Sequence, residues 1–155
     1  MIWIMVAGIL AVVGSILMLK PNARDSRLAK LRMDALKEGL QVRQFIWQPK
    51  AEKTGVYNDI NATSYSYARP LANKPGALKF SISKQKGWES EGLPEGYSWY
   101  QVGTAADAAR FQQQLAQLND EILLLEVWEN KALLMAAEKP GASALGYKQL
   151  LESFL

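Results

Sequence analysis

Residues Ile2 to Leu19 form an unbroken apolar run with no charge and a single hydroxyl, Ser15. At about 1.5 Å per residue such a run makes a helix of ~27 Å, close to the hydrocarbon thickness of a bilayer. Gly8 and Gly14 are tolerated in membrane helices, Trp3 suits the interface at one end, and Lys20 can snorkel from the other. The pattern predicts a membrane-spanning anchor over 2–19. A cleaved signal peptide calls for a basic stretch before the run and a small-residue cleavage motif, and Met18-Leu19-Lys20-Pro21 is a poor one. A buried core helix is rarely apolar on every side over this length. The Gly8–Gly14 spacing is not the four-residue step of a tight helix dimer.

The pattern then changes period. Pro21 ends or re-aims the first helix, and Asn22, Asp25 or Ser26 can cap a second. Leu28, Leu31, Ala35 and Leu36 fall on one face, with Arg27, Lys30, Asp34 and Lys37 around the others, and Gly39 is placed as its stop. This predicts a basic amphipathic juxtamembrane helix over 20–39.

From Leu40 the alternation is that of strands. Val42, Gln44 and Ile46 oppose Arg43, Phe45 and Trp47 until Pro49, and Lys50 to Asp59 reads as a loop or a long hairpin turn. Thr63 to Arg69 alternates, with Tyr65 and Tyr67 facing together until Pro70, and Asn73-Lys74-Pro75-Gly76 is a turn signal. Leu78, Phe80 and Ile82 alternate with Lys79, Ser81 and Ser83, a strand with one wet face. Gly87 to Gly96 is a loop with Trp88 tucked under it, and Tyr97 to Val102 a short strand. Thr104, with Asp107 three residues on, is a short capping box for a helix burying Ala108, Phe111, Leu115 and Leu118. Glu121–Trp128 and Ala132–Glu138 are apolar strands around Glu129-Asn130-Lys131, a central hairpin. Pro140-Gly141 breaks the chain, Ser143 caps, and Leu145, Leu150, Leu151 and Phe154 complete a last helix.

The predicted fold class is therefore α+β: one transmembrane helix, then a soluble two-layer domain over 40–155, a mostly antiparallel sheet with helices on one face.

Composition narrows the chemistry. The chain of 155 residues has no Cys and no His, which excludes disulfides, thiolate metal sites, zinc centres and His-based triads. The net charge is only +3, yet Lys20, Arg24, Arg27, Lys30, Arg32, Lys37 and Arg43 face only Asp25, Asp34 and Glu38 over 20–43. The basic excess sits beside the apolar run. By the positive-inside rule the N-terminus lies outside a bacterial-type inner membrane and the domain is cytoplasmic. Lys20, Arg24, Arg27, Lys30 and Arg32 are the candidate contacts to anionic lipid or to a partner, at about 1 kcal/mol per basic residue near the surface. The competing reading makes them a stop-transfer cluster on a helix packed against the domain.

Aromatics crowd the strand region. Trp47, Tyr65, Tyr67 and Trp88 are the candidate partner contacts, although Tyr and Trp are ordinary half-buried sheet formers. Interleaved with Arg43, Arg69, Lys79 and Lys84, the aromatics also suggest a surface for single-stranded nucleic acid, which the lack of any RNA-module signature argues against. Glu89, Glu91 and Glu95 share a loop but match no calcium motif. Glu126, within an apolar strand, is the acid with a prospect of a shifted pKa, against the plainer reading that it faces solvent. Gly92-Leu93-Pro94-Glu95-Gly96 lacks the Lys and helix of a phosphate loop. No cofactor, metal ligand or catalytic set is assigned.

The hydrophobic span followed by Lys20-Pro21-Asn22-Ala23-Arg24-Asp25-Ser26-Arg27 and a basic helix ending at Gly39 resembles the small YajC-type accessory subunit of the Sec preprotein translocase. The resemblance covers about the first 42 residues. That family continues with Gly-Asp and Gly-Gly signatures, where this chain reads Gly39-Leu40-Gln41-Val42-Arg43-Gln44, and no residue is carried over as functional. The expected function is a non-enzymatic single-pass inner-membrane protein whose domain is an interaction or accessory module for a membrane or envelope complex. The alternative is a membrane-tethered enzyme using carboxylate, Lys or Tyr chemistry.

Overall fold

The computed structural model of the protein describes residues 1–69 and 76–155. The strand end expected at Pro70 and the turn expected at Asn73-Lys74-Pro75 lie outside these residues. The chain divides into two compact units, Met1–Lys30 and Leu31–Leu155.

In the first unit, helix α1 spans Ile2–Met18 and buries none of its side chains. Its one hydroxyl, Ser15, donates to the Ala11 carbonyl at 2.8 Å, so the run carries no unsatisfied polar side chain. That is the condition a bilayer imposes on a helix. Among the described residues no single helix is long and apolar enough to cross a membrane. The pair of α1 and α2 (Ala23–Lys37), broken around Pro21, is a candidate broken span by length and composition. Asn22 Oδ1 accepts from the Arg24 amide at 3.5 Å at the start of α2. The N-terminal helix pair is thus consistent with membrane association.

The second unit is built on alternation. Strands β1 (Gln41–Trp47), β2 (Ile60–Ala68), β3 (Leu78–Ser83), β4 (Ser98–Gln101), β5 (Ile122–Trp128) and β6 (Lys131–Ala136) form one sheet in the order β1-β2-β6-β5-β3-β4. All five described pairings are antiparallel. The hairpin β5–β6 lies at its centre, as the apolar character of both strands predicts. Helix α3 (Ala51–Thr54) is a single turn ended by Gly55 in the left-handed region (φ 72°). It falls in the stretch expected to be loop.

Because side chains alternate across a strand, the two faces of the sheet carry separate cores. On one face Tyr65, Phe80, Ile82, Leu125 and Leu134 pack with Leu31 and Ala35 of α2, Phe111 of α4 (Ala105–Gln117), and Tyr147, Leu150 and Leu151 of α5 (Ala144–Ser153). The other face holds a smaller cluster of Trp47, Val56, Leu124 and Met135. Ser81 and Ser83 share the face of Leu124, and both are fully buried. The wet face expected of β3 is therefore covered, on the side where Trp47, Val56 and Tyr100 cluster with Leu124. Thr104 and Asp107 form the capping box at α4, and Ser143 caps α5. Leu36 and Leu145, expected on buried faces, are each about half exposed.

Candidate functional site

The most elaborate polar arrangement lies on the helix-covered face. Glu138 follows β6 and adopts a left-handed backbone (φ 56°), the only described non-glycine residue to do so. That conformation costs a residue with a Cβ about 1 kcal/mol or more, so its surroundings must hold it. They do so from three sides. Arg32 Nε and Nη2 donate to Glu138 Oε1 and Oε2 at 3.0 and 2.8 Å, a bidentate pair. The Tyr65 hydroxyl donates to Oε1 at 2.5 Å. The Glu138 amide donates to Asp120 Oδ2 at 3.2 Å.

Asp120 is the second node. It accepts from the amides of Glu121 (2.8 Å) and Lys139 (3.0 Å), and from the Tyr147 hydroxyl. The Tyr65 and Tyr147 rings lie 4.7 Å apart, tilted by 49°, and so join the two nodes. The electrostatics follow. Burial alone raises the Glu138 carboxyl, but the hydrogen bonds from Arg32 and Tyr65 and the guanidinium charge outweigh it, leaving its pKa below the ordinary range. Burial and the facing carboxylates push the hydroxyls of Tyr65 and Tyr147 far up, so both stay protonated donors. The arrangement pins the C-terminal half of α2 and the β6–α5 connection to the sheet. Lys148 of α5 adds a second tie to Glu38 at 3.4 Å.

On the opposite face stands Glu126. Its Oε1 accepts from Trp47 Nε1 at 3.0 Å, and Trp47 packs edge-on to Tyr100 with centroids 4.9 Å apart. Burial pushes the Glu126 carboxyl above the ordinary range, against the opposing pull of the Trp47 hydrogen bond. The acid in the apolar strand thus faces a covered cluster, not open solvent.

The other candidates separate. Tyr65 is fully buried and Trp47 is 6 % exposed, each hydrogen-bonded to an internal carboxylate, and Tyr67 is partly buried against the main core. Trp88 is 66 % exposed. It lies against Gly55 and leaves much of its ring uncovered, where the sequence suggested it was tucked away. Lys20, Arg24 and Lys30 are exposed, Arg27 is partly so, and Arg32 is engaged with Glu138. Glu89 and Glu91 line a cleft of about 450 Å³ between their loop and the start of α4. Glu95 lines a different cleft with Lys86 and Tyr97. No group of three or more Asp or Glu placed to hold a metal ion occurs among the described residues.

Residue-type reasoning missed Arg32–Glu138–Tyr65 as a unit. Its partners are 106 and 73 positions apart, and the local signal, an acid between an apolar strand and Lys139-Pro140, is slight. No protein-family model, curated protein or solved structure matches the chain. The likeness of residues 1–42 to the YajC-type subunits is one of arrangement, an apolar run followed by a basic helix, and no family model supports it.

Proposed function

We propose that this chain is a single-pass inner-membrane protein whose α+β domain is a non-enzymatic accessory module for a membrane or envelope complex. The observation that carries the reading is the candidate broken span of α1 and α2, in which the apolar side chains of α1 are uncovered on every side and Ser15 is satisfied within the helix. Such a surface is stable in lipid and costly in water. The basic flank after it favours an outer N-terminus and a cytoplasmic domain. Lys20, Arg24, Arg27 and Lys30 are assigned to anionic head groups, and Trp88 to the partner protein. Exposed Trp is a common anchor at interfaces because it contributes large contact area at low entropic cost.

Two measurements test this. In a chain truncated before Lys20, reversing the charge of Arg24, Arg27 and Lys30 together weakens binding to anionic vesicles and leaves binding to neutral vesicles unchanged; equal binding to both contradicts the lipid role. A photo-crosslinker at position 88, in intact membranes, captures one protein species that unlabelled protein competes away. Capture that does not compete sinks the partner role of Trp88.

One observation favours the alternative of a membrane-tethered enzyme, the raised carboxyl of Glu126 beside Trp47 and Tyr100. A hydrolytic substrate screen in which Glu126→Gln abolishes an activity establishes it. An activity that survives the substitution removes it.

A further inference from the structure

We propose that β1 pairs with β1 of a second copy of this chain, antiparallel about Gln44, joining two six-stranded sheets into one.

The strand order leaves β1 and β4 as the two edges. Unpaired edges are normally blunted by shortness, bulges, proline or charge. β4 fits that rule, with four residues and an irregularity in its pairing with β3 between Ser81 and Ile82. β1 does not. It runs seven residues in unbroken register with β2, from Gln41↔Ser66 to Trp47↔Ile60. It contains no proline and one charge, Arg43. Phe45 and Ile46 are 43 and 54 % exposed.

The outward-facing backbone can be assigned. Ser64 is the cross-strand partner of Arg43, and its hydroxyl donates to the Arg43 carbonyl at 3.0 Å. That carbonyl therefore points toward β2. In an antiparallel ladder the direction alternates, so the N–H and C=O groups of Val42, Gln44 and Ile46 point away from the sheet. A strand docking there must meet them with outward-facing groups of its own.

β1 meets this condition when reversed on itself. A two-fold axis at Gln44 pairs Val42 with Ile46 of the second copy, Gln44 with its own copy, and uses all seven residues. The ladder then forms about six hydrogen bonds. Val42 opposite Ile46 is an apolar β-branched pair, and Arg43 opposite Phe45 sets a cation beside a ring, both favourable across strands. The neighbouring registers are poorer. An axis at Arg43 shortens the ladder to residues 41–45 and sets Arg43 opposite its own copy, a like-charge pair. An axis at Phe45 shortens it to residues 43–47. The lone charge and the exposed apolar side chains of β1 thus complement the same strand run backwards, which is why the occupant is a second copy.

The absence of cysteine makes the test direct. In a hydrogen-bonded antiparallel pair the Cα atoms are about 5.5 Å apart, within disulfide reach. The full chain carrying Gln44→Cys is oxidised in its membrane with copper phenanthroline and run on a non-reducing gel. The expected result is a disulfide dimer as the main species. Gln101→Cys, on the β4 edge, stays monomeric, and adding Ile46→Lys to Gln44→Cys returns the chain to monomer. Light scattering of the cysteine-free chain in detergent gives twice the 17.3 kDa monomer mass. Ile46 is exposed, so its variant keeps the wild-type melting temperature, which separates lost pairing from lost folding. A monomeric chain, equal crosslinking at positions 44 and 101, or a dimer that Gln44→Cys fails to trap each overturns the proposal.

Discussion

Arg32 closes two nitrogens of its guanidinium on Glu138, at 3.0 and 2.8 Å, and so fastens the C-terminal half of α2 to the end of β6. Arg32 is 39 % exposed in its side chain and Glu138 only 10 %. The carboxylate is the buried member, and it depends on the cation. The basic stretch after the apolar run therefore holds two kinds of residue. Arg24 and Lys30 face outward, while Arg32 belongs to the fold.

Removing Arg32 leaves a buried carboxylate without its cation. Arg32→Ala is expected to lower stability by about 2 kcal/mol, between the values for exposed and fully buried pairs. Arg32→Lys recovers only part, because an ammonium cannot reproduce the fork. Because the Glu138 pKa is depressed, its contribution is complete above the ordinary glutamate range and lost as pH falls through the folded-state value. Urea unfolding of wild type and both variants at neutral and acid pH checks this, with the gap closing in acid.

Glu126 has the opposite sign. Its pKa is raised, so the neutral form contributes stability that is complete below the unfolded value of about 4.3 and lost as pH rises through the folded one. Glu126→Gln keeps an acceptor for the Trp47 indole and removes the charge. It is expected to raise the thermal midpoint at pH 7 and to leave it unchanged below about pH 4. A midpoint lowered at pH 7 contradicts the assignment.

Ser83 is fully buried, and its hydroxyl finds no hydrogen-bond partner among the described residues. Burying an unpaired hydroxyl costs about 1 kcal/mol or more, so Ser83→Ala is expected to stabilise the domain by about that amount. Chemical denaturation with an unchanged m-value measures it.

Gly55 holds φ 72°, and a Cβ there falls 2.5 Å from Cδ1 and Nε1 of Trp88. Gly55→Ala is expected to cost about 1–3 kcal/mol through backbone strain and displacement of that ring. The indole N–H resonance of Trp88 shifts while those of the other tryptophans hold their positions.

Much of this fold could be read locally. The Thr104–Asp107 box, the alternation in β1, β2 and β3, and the apolar hairpin β5–β6 are short-range signals, and each marks an observed element. What could not be read depends on long-range closure. Ser81 and Ser83 look like a solvent face until segments distant in sequence cover them. Trp88 looks like a loop plug until its ring is found against the outside of Gly55. α3 is one turn long, too short for any periodicity to show. The tie from Arg32 to Glu138 spans most of the domain, and nothing near either residue announces the other.

The central claim, that α1 holds this domain to the cytoplasmic side of a membrane, is tested most directly by alkaline extraction of cells expressing the full chain with a compartment-sensitive reporter fused after Leu155. The predicted result is retention in the membrane pellet with reporter activity of the cytoplasmic type, and release to the supernatant when Ile9 and Val13 are both changed to Arg. Release of the unaltered chain contradicts the anchor, and reporter activity of the external type contradicts the orientation.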